Sequence, residues 1–284
     1  MKIIVASHAG FCYGVKRAVD GAKEVLKNSQ ENVYCLGEIV HNQDVINELE
    51  KSGLIMINHI QETKGKTIIR AHGAPKEVYD YVKQNHIEIE DYTCPNVMKI
   101  HELVKEYAQK GYYIILVGNS KHPEIIATES FCGKNYSIIE NENDVEKVAV
   151  FLKESNHHHI LLITQTTYSV SVFQSCKEKL QRLLSKDIDL VVKNTICNAT
   201  EIRQKEAEKL SQRVDMMIVI GGKNSSNTRK LYEICVKNCP NTLLIENEEE
   251  MQETMTSFHV IGIVAGASTP KESIEKVITK LNQG

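Results

Sequence analysis

The chain has 284 residues, 42% of them hydrophobic and 25% charged, with a formal net charge of −3 at pH 7. This is the composition of a folded protein with a sizeable core, and its mild acidity excludes a general nucleic-acid binder, which would carry a basic face or stripe. No apolar run approaches the roughly 20 residues that span a bilayer, so no membrane partner is expected either.

Taken in order, KIIVAS near the N-terminus reads as a first strand, because one lysine and a few apolar residues are too short for a secretory signal. That predicts a cytoplasmic protein, where disulfides are rare. Its eight cysteines then call for metal binding, catalysis or core packing. After Cys12 the apolar spacing predicts a helix over 15–27, then strand NVYCLG, a helix over 43–51, strands LIMIN and TIIRAH, and a helix over 76–84. Cys94 opens the next helix, expected over 97–109, and strands YYIILVG and ILLITQ and a helix over 172–184 follow. Strand LVVKNT leads to Cys197 and a helix over 200–212. The last third reads as MMIVIGG, a helix over 228–237, strands TLLIEN and VIGIVAG, and a closing helix over 271–281. Such alternation specifies an α/β fold with mostly parallel sheets.

A larger repeat runs through these elements. Cys12, Cys94 and Cys197 each open a helix, and each is followed by two strands that end in polar loops. The loop pairs are GEIVHN and RAHGAP, GNSKHPEI and TQTT, and GGKNSSNT and GASTP. This predicts three related α/β units: 14–94, 95–193, and 194–284 completed by residues 1–13. Parallel sheets bind ligands beyond the carboxyl ends of their strands. A pseudo-threefold arrangement would therefore gather the loops at one centre, with three cysteines ringed by His41, His72, His122, Ser225, Asn227, Ser268 and the Thr166–Thr167 pair.

The chemistry follows from those residue types. A cysteine at a helix start favours its thiolate, the metal-binding form. Three thiolates are too few for a closed zinc site, and they match one 4Fe–4S cluster with three cysteine ligands and one open iron. A buried structural role suits any one of the three alone, and recurrence at equivalent points argues against it. Cys35, Cys132 and Cys176 read as core packing, and Cys235 and Cys239 as a structural or adventitious pair. His59, His86, His101 and His259 read as ordinary hydrogen-bonded histidines, and the run His157–His159 as a solvated loop. His41, His72 and His122 differ, since each closes a strand in a matching loop. With hydroxyls and Asn227 nearby they form an anion pocket, most simply for a diphosphate. Three histidines also admit zinc, but the hydroxyls suit phosphate oxygens better. Glu124 lies two residues past His122, and a carboxylate beside an anion site needs a proton or a task; general acid is the obvious one. The plainer alternative is a first-turn glutamate stabilising a helix start.

These fragments, from GFCYGVKRAV, GEIVHN and RAHGAP through DYTCPNV, KHPEI and TQTT to NTICNAT, SSNT and GASTP, resemble the 4-hydroxy-3-methylbut-2-enyl diphosphate reductase family along the whole chain. The resemblance implies three α/β units around a central iron–sulfur cluster held by Cys12, Cys94 and Cys197. It implies that His41, His72, His122, Ser225, Ser226, Asn227 and Ser268 bind the diphosphate, that Thr166 sits near the substrate hydroxyl, and that Glu124 supplies protons. The implied reaction removes the allylic hydroxyl as water with two electrons and two protons, giving isopentenyl and dimethylallyl diphosphate. The implied partners are the allylic diphosphate and an electron donor of ferredoxin or flavodoxin type. Ser120, Lys121 and Ala127 depart from glycine-rich stretches common in the family, and none of them is an implied ligand.

Two rivals share the cysteine pattern. An iron–sulfur hydro-lyase would use an open iron without a redox step. A non-enzymatic iron–sulfur sensor would need an effector or nucleic-acid module, and neither is legible. The anion pocket and Glu124 favour the reductase over both.

Overall fold

Strands of three to six residues, mostly β-branched and aliphatic and bounded by polar turns, give this chain three four-stranded sheets. The computed structural model describes residues 1–155, 157–251 and 258–283. The strands are β1 (Lys2–Val5), β2 (Val33–Leu36), β3 (Leu54–Ile57), β4 (Lys66–Ile69), β5 (Ile89–Asp91), β6 (Tyr113–Val117), β7 (Tyr136–Ile139), β8 (His159–Thr164), β9 (Asp189–Val192), β10 (Met216–Ile220), β11 (Thr242–Ile245) and β12 (Val260–Ala265). The helices are α1 (Tyr13–Asn28), α2 (Gln43–Lys51), α3 (Lys76–Gln84), α4 (Pro95–Gln109), α5 (Pro123–Glu129), α6 (Glu142–Glu154), α7 (Val170–Leu183), α8 (Asn198–Ser211), α9 (Ser226–Asn238) and α10 (Lys271–Gln283). The sheet orders are β1-β12-β10-β11, β3-β2-β4-β5 and β7-β6-β8-β9. The registered neighbours run parallel in all three sheets, as the alternation of strands and helices specifies.

The chain divides into two compact units. The first comprises Met1–Gln30, Glu38–Met56 and Asn198–Gly284. In its sheet, alternate residues of a strand serve opposite faces, as a period of two requires. Met216, Ile218 and Ile220 of β10 pack with Ile274, Val277 and Leu281 of α10. Met217 and Val219 pack with Ala207 of α8 and Leu231 and Cys235 of α9. Both faces are covered, which is why β10 is a continuous apolar run.

The second unit comprises Glu31–Gly37 and Ile57–Cys197. Its β6 and β8 repeat the scheme. Ile115, Val117, Ile160 and Leu162 face α6 and α7 through Val145, Leu152, Phe173 and Leu180. Ile114, Leu116, Leu161 and Ile163 face α4 and α5 through Ile100, Val104 and Ile125. Fully burying each such side chain contributes about 1.5–3 kcal/mol, so these faces hold the loops at the strand ends on a stiff base.

Among the described residues, strands β5 and β7 and helices α5 and α6 lie outside the expected set, as do single 3-10 turns at Ile60–Glu62 and Glu248–Glu250. Strands β5 and β7 are short sheet edges, with too few residues to show a period. Helix α5 is seven residues long, fewer than the window in which amphipathicity can be read. Helix α6 did carry a signal: Asn141 and Asp144 form a reciprocal capping box at its start.

Candidate functional site

Each helix-opening cysteine is tied by its backbone to a polar loop. The Cys12 N–H donates to the Ala267 carbonyl at 3.0 Å, one residue before Ser268. The Cys94 N–H donates to the Ala71 carbonyl at 2.9 Å, one residue before His72, and the Cys197 N–H to the Thr166 carbonyl at 3.0 Å. The same bond thus recurs at three equivalent places. In each case it fixes a thiol-bearing helix start against a loop of candidate substrate residues.

In the second unit, α5 begins at His122, whose Nδ1 accepts the Glu124 N–H at 3.1 Å. Pro123 occupies the first helical position, where its missing N–H costs nothing. With Nδ1 an acceptor, the ring proton sits on Nε2, where it can be donated to an anion. The His122 ring meets the His72 ring edge-on, with centroids 5.2 Å apart. Glu124 is 2% exposed. Its Oε1 accepts the Thr166 N–H at 2.6 Å and its Oε2 the Thr166 hydroxyl at 2.6 Å. Burial pushes the carboxyl up to about 7, although both Thr166 bonds pull it down. Desolvation outweighs both bonds, so Glu124 keeps its proton well above the usual carboxylate range and exchanges it close to neutral pH. That outcome favours the general-acid assignment over a plain helix-start glutamate.

Gln165, not singled out from the sequence, braces these loops. Its Oε1 accepts the Asn119 N–H at 3.1 Å, and its Nε2 donates to the Thr167 hydroxyl at 2.8 Å. One amide therefore joins the loop before His122 to the loop of Thr166. The motif TQTT contained the residue, but a glutamine between threonines carries no distinctive chemical signal. Lys121 is exposed.

In the first unit, Ser225 caps α9 by accepting the Thr228 N–H, and Ser226 and Asn227 form its first turn. Asn227 is 3% exposed, yet neither its Oδ1 nor its Nδ2 has a hydrogen-bond partner among the described residues. A buried amide Nδ2 without an acceptor, at the positive end of a 13-residue helix, is placed to donate to an anion. The Ser268 hydroxyl donates to the His41 carbonyl at 3.2 Å. A Cβ on Gly222 would overlap that same carbonyl, so the approach of the two loops depends on glycine. The His41 Nδ1 bonds Glu38 at 2.8 Å. His41, Ser225, Ser226, Asn227 and Ser268 thus occupy three neighbouring loops of one unit.

The eight cysteines separate into two groups, and none is joined in a disulfide. Cys35, Cys132, Cys176, Cys235 and Cys239 are buried. Burial pushes the thiols of Cys35, Cys132 and Cys235 up to about 12 and that of Cys176 to about 11, so these stay protonated and inert. Cys12, Cys94 and Cys197 are only part-buried. Cys12 and Cys94 stand at N-cap positions without capping their helices through sulfur, and Cys197 immediately precedes α8. Soft sulfur donors at partly open helix starts fit an iron–sulfur cluster.

The first unit thus carries an anion-ready helix terminus and the second a buried acid, and thiol-bearing helix starts occur in both. The family model described as "LytB protein" matches residues 3–282. The 4-hydroxy-3-methylbut-2-enyl diphosphate reductase of Caldanaerobacter subterraneus subsp. tengcongensis is 44% identical over 287 residues, covering 99% of this chain and 96% of that protein. A solved structure described as (E)-4-hydroxy-3-methyl-but-2-enyl diphosphate reductase, the terminal enzyme of the non-mevalonate pathway, is similar at TM-score 0.72 and 38% identity, with both chains covered completely. The E-1-hydroxy-2-methyl-but-2-enyl-4-diphosphate reductase from Plasmodium falciparum is similar at TM-score 0.90 and 30% identity, covering 98% of this chain and 87% of that one. The chain belongs to the LytB protein family, and membership implies an iron–sulfur cluster. Among the described residues, no helix is long and apolar enough to cross a membrane.

Proposed function

We propose that the protein is a cytoplasmic 4-hydroxy-3-methylbut-2-enyl diphosphate reductase with one 4Fe–4S cluster held by Cys12, Cys94 and Cys197. The single observation that carries the reading furthest is Glu124: a buried carboxyl whose pKa burial raises to about 7, held in place by the N–H and hydroxyl of Thr166. The cluster, when bound, supplies electrons and an open iron. The overall change consumes two electrons and two protons; the allylic C–O bond breaks, one proton leaves with the oxygen as water, and the other goes to the allyl carbon. Glu124 delivers the proton to the departing oxygen, and Thr166 holds both the acid and the substrate hydroxyl.

His41, His72, His122, Ser225, Ser226, Asn227 and Ser268 bind the diphosphate. Their interactions persist unchanged while the bond breaks, so they orient the substrate and leave the chemistry to other groups. His122 donates through Nε2, and the Nδ2 of Asn227 gains the acceptor it lacks among the described residues. The electron donor in this reading is of ferredoxin or flavodoxin type. The repeat units are assigned as 14–94, 95–193, and 194–284 with 1–13.

The test is anaerobic reconstitution followed by reduced-viologen oxidation on adding the hydroxylated allylic diphosphate, with iron and sulfide analysis and EPR in parallel. Viologen consumption matched by isopentenyl and dimethylallyl diphosphate supports the assignment. Turnover without electron uptake would indicate a hydro-lyase instead. Failure to assemble any cluster would remove the three-cysteine argument.

A further inference from the structure

His101 is the buried histidine that this reaction leaves unexplained. It lies two turns into α4, on the buried side with Val97, Ile100 and Val104, and is 8% exposed. Its ring stacks on Phe131, with centroids 4.6 Å apart and planes at 23°. Phe131 lies just beyond α5, the helix that begins after His122 and carries Glu124. The same ring meets Gly73, the residue after His72. A Cβ on Gly73 would stand 2.8 Å from the His101 Cε1 and 3.3 Å from the Thr93 methyl. Gly73 also adopts φ +77°, a conformation that strains any residue with a side chain. One imidazole therefore contacts the loop of His72 and the end of α5, and belongs to the helix that Cys94 opens.

The ring acts by shape. Burial drives its pKa down to about 4, with the charge of Asp91 opposing, so it is neutral at working pH. Its Nε2 has no hydrogen-bond partner among the described residues, and a buried unsatisfied group costs about 1–3 kcal/mol. An aromatic hydrocarbon would avoid that cost, but a six-membered ring reaches further than imidazole into a space that already excludes a single methyl at Gly73. Thr93, the other wall of that space, is anchored in turn. Its N–H and hydroxyl both donate to the Asp91 Oδ1, at 2.8 and 2.5 Å. The Tyr79 hydroxyl donates to the Oδ2 of the same carboxylate at 3.2 Å.

We propose that His101 is a positioning residue for substrate binding: its ring, packed against Gly73, sets where the next residue, His72, presents its imidazole to the diphosphate. The proposal rests on the reading of His72 as a diphosphate ligand. It names a contact, Gly73 with His101, whose energy should appear in KM and leave cluster assembly alone.

The test is a double-mutant cycle on the anaerobically reconstituted enzyme, using Gly73→Ala, His101→Ala and the pair, with KM, kcat, iron and sulfide content and melting temperature measured for each. Gly73→Ala should raise KM roughly tenfold or more, with kcat changed much less, because a misplaced binding group loses substrate orientation. In the His101→Ala background the same change should raise KM at least about threefold less, since the new methyl has no ring to meet. Iron and sulfide content should match wild type throughout. Should Gly73→Ala fail to fold, His101→Phe probes the same contact by enlarging the ring, and a rise in KM at retained kcat is expected. KM effects that simply multiply across the cycle, or a His101→Phe enzyme with wild-type KM, would overturn the proposal. His72→Asn separates the two layers: raised KM there with a multiplicative cycle rejects the role of His101 alone. A wild-type KM for His72→Asn rejects the site reading, and the positioning role with it.

Discussion

Glu124 and Thr166, 42 positions apart in the chain, are joined twice, each carboxylate oxygen accepting one Thr166 donor at 2.6 Å. The threonine thereby spends both donors on the acid, and its backbone carbonyl receives the Cys197 N–H. The proton donor and a thiol-bearing helix start are set by one residue. Replacing Glu124 with Gln keeps one acceptor and removes the transferable proton. We expect kcat to fall by about 10²–10⁴ with KM within a fewfold of wild type, as for loss of a general acid. Steady-state viologen oxidation at saturating substrate measures it, and unchanged kcat would remove Glu124 from the chemistry.

The raised Glu124 pKa, from 4.5 to about 7, has a sign in stability as well as in rate. Between those values the folded chain binds a proton that the unfolded chain has released. Its contribution is fully present below about pH 4.5 and is lost as pH rises through about 7. The size is about 3 kcal/mol. Denaturant unfolding of wild type against Glu124→Gln should therefore show the variant gaining relative stability over that window. The wild-type rate should also fall above about pH 7, while the residual rate of Glu124→Gln stays flat there.

Asn227 offers a separation of binding from folding. Its amide makes no hydrogen bond among the described residues, so folding gains nothing from it and bears its desolvation. Asn227→Ala should leave the melting temperature unchanged or slightly higher, while KM rises roughly tenfold to a hundredfold. Calorimetry and initial rates on the same preparation decide this. A large loss of stability would mean that the amide has a structural partner.

Cysteine reactivity should follow exposure. In cluster-free protein treated briefly with iodoacetamide at pH 8, mass spectrometry should find Cys12, Cys94 and Cys197 alkylated well before Cys35, Cys132, Cys176 and Cys235, whose thiols burial keeps protonated. Cluster loading should protect the first three. Equal labelling of all the cysteines would contradict this division.

Much of this was legible in the sequence where local rules and burial agree. Helices α2 and α3 occupy the spans their spacing predicts, with Val45, Ile46 and Leu49 buried in the first and Val82 in the second. Cys35 in a strand and Cys176 on a helix could be told from the helix-opening three by their settings. Other features depend on contacts that no local pattern encodes. The brace made by Gln165 spans 46 positions to Asn119. The unpaired amide of Asn227 and the Gly73–His101 contact are properties of packed space, and a histidine at an ordinary helical position does not reveal what its ring will touch. His101 read as a hydrogen-bonded histidine, and its buried Nε2 has no such bond. That local deficit is where residue-by-residue expectation and the folded chain part company.

The parallel run of the strands also sorts the surface into two kinds of real estate. The loops that leave the strands carry the histidines, serines and threonines of the proposed chemistry, and those that enter them do not. The entering turns at 110–112, 186–188 and 212–215 are largely exposed and bear none of the assigned residues. Affinity tags, fluorophores or an inserted electron-donor domain belong there, where splicing leaves the reactive edge undisturbed.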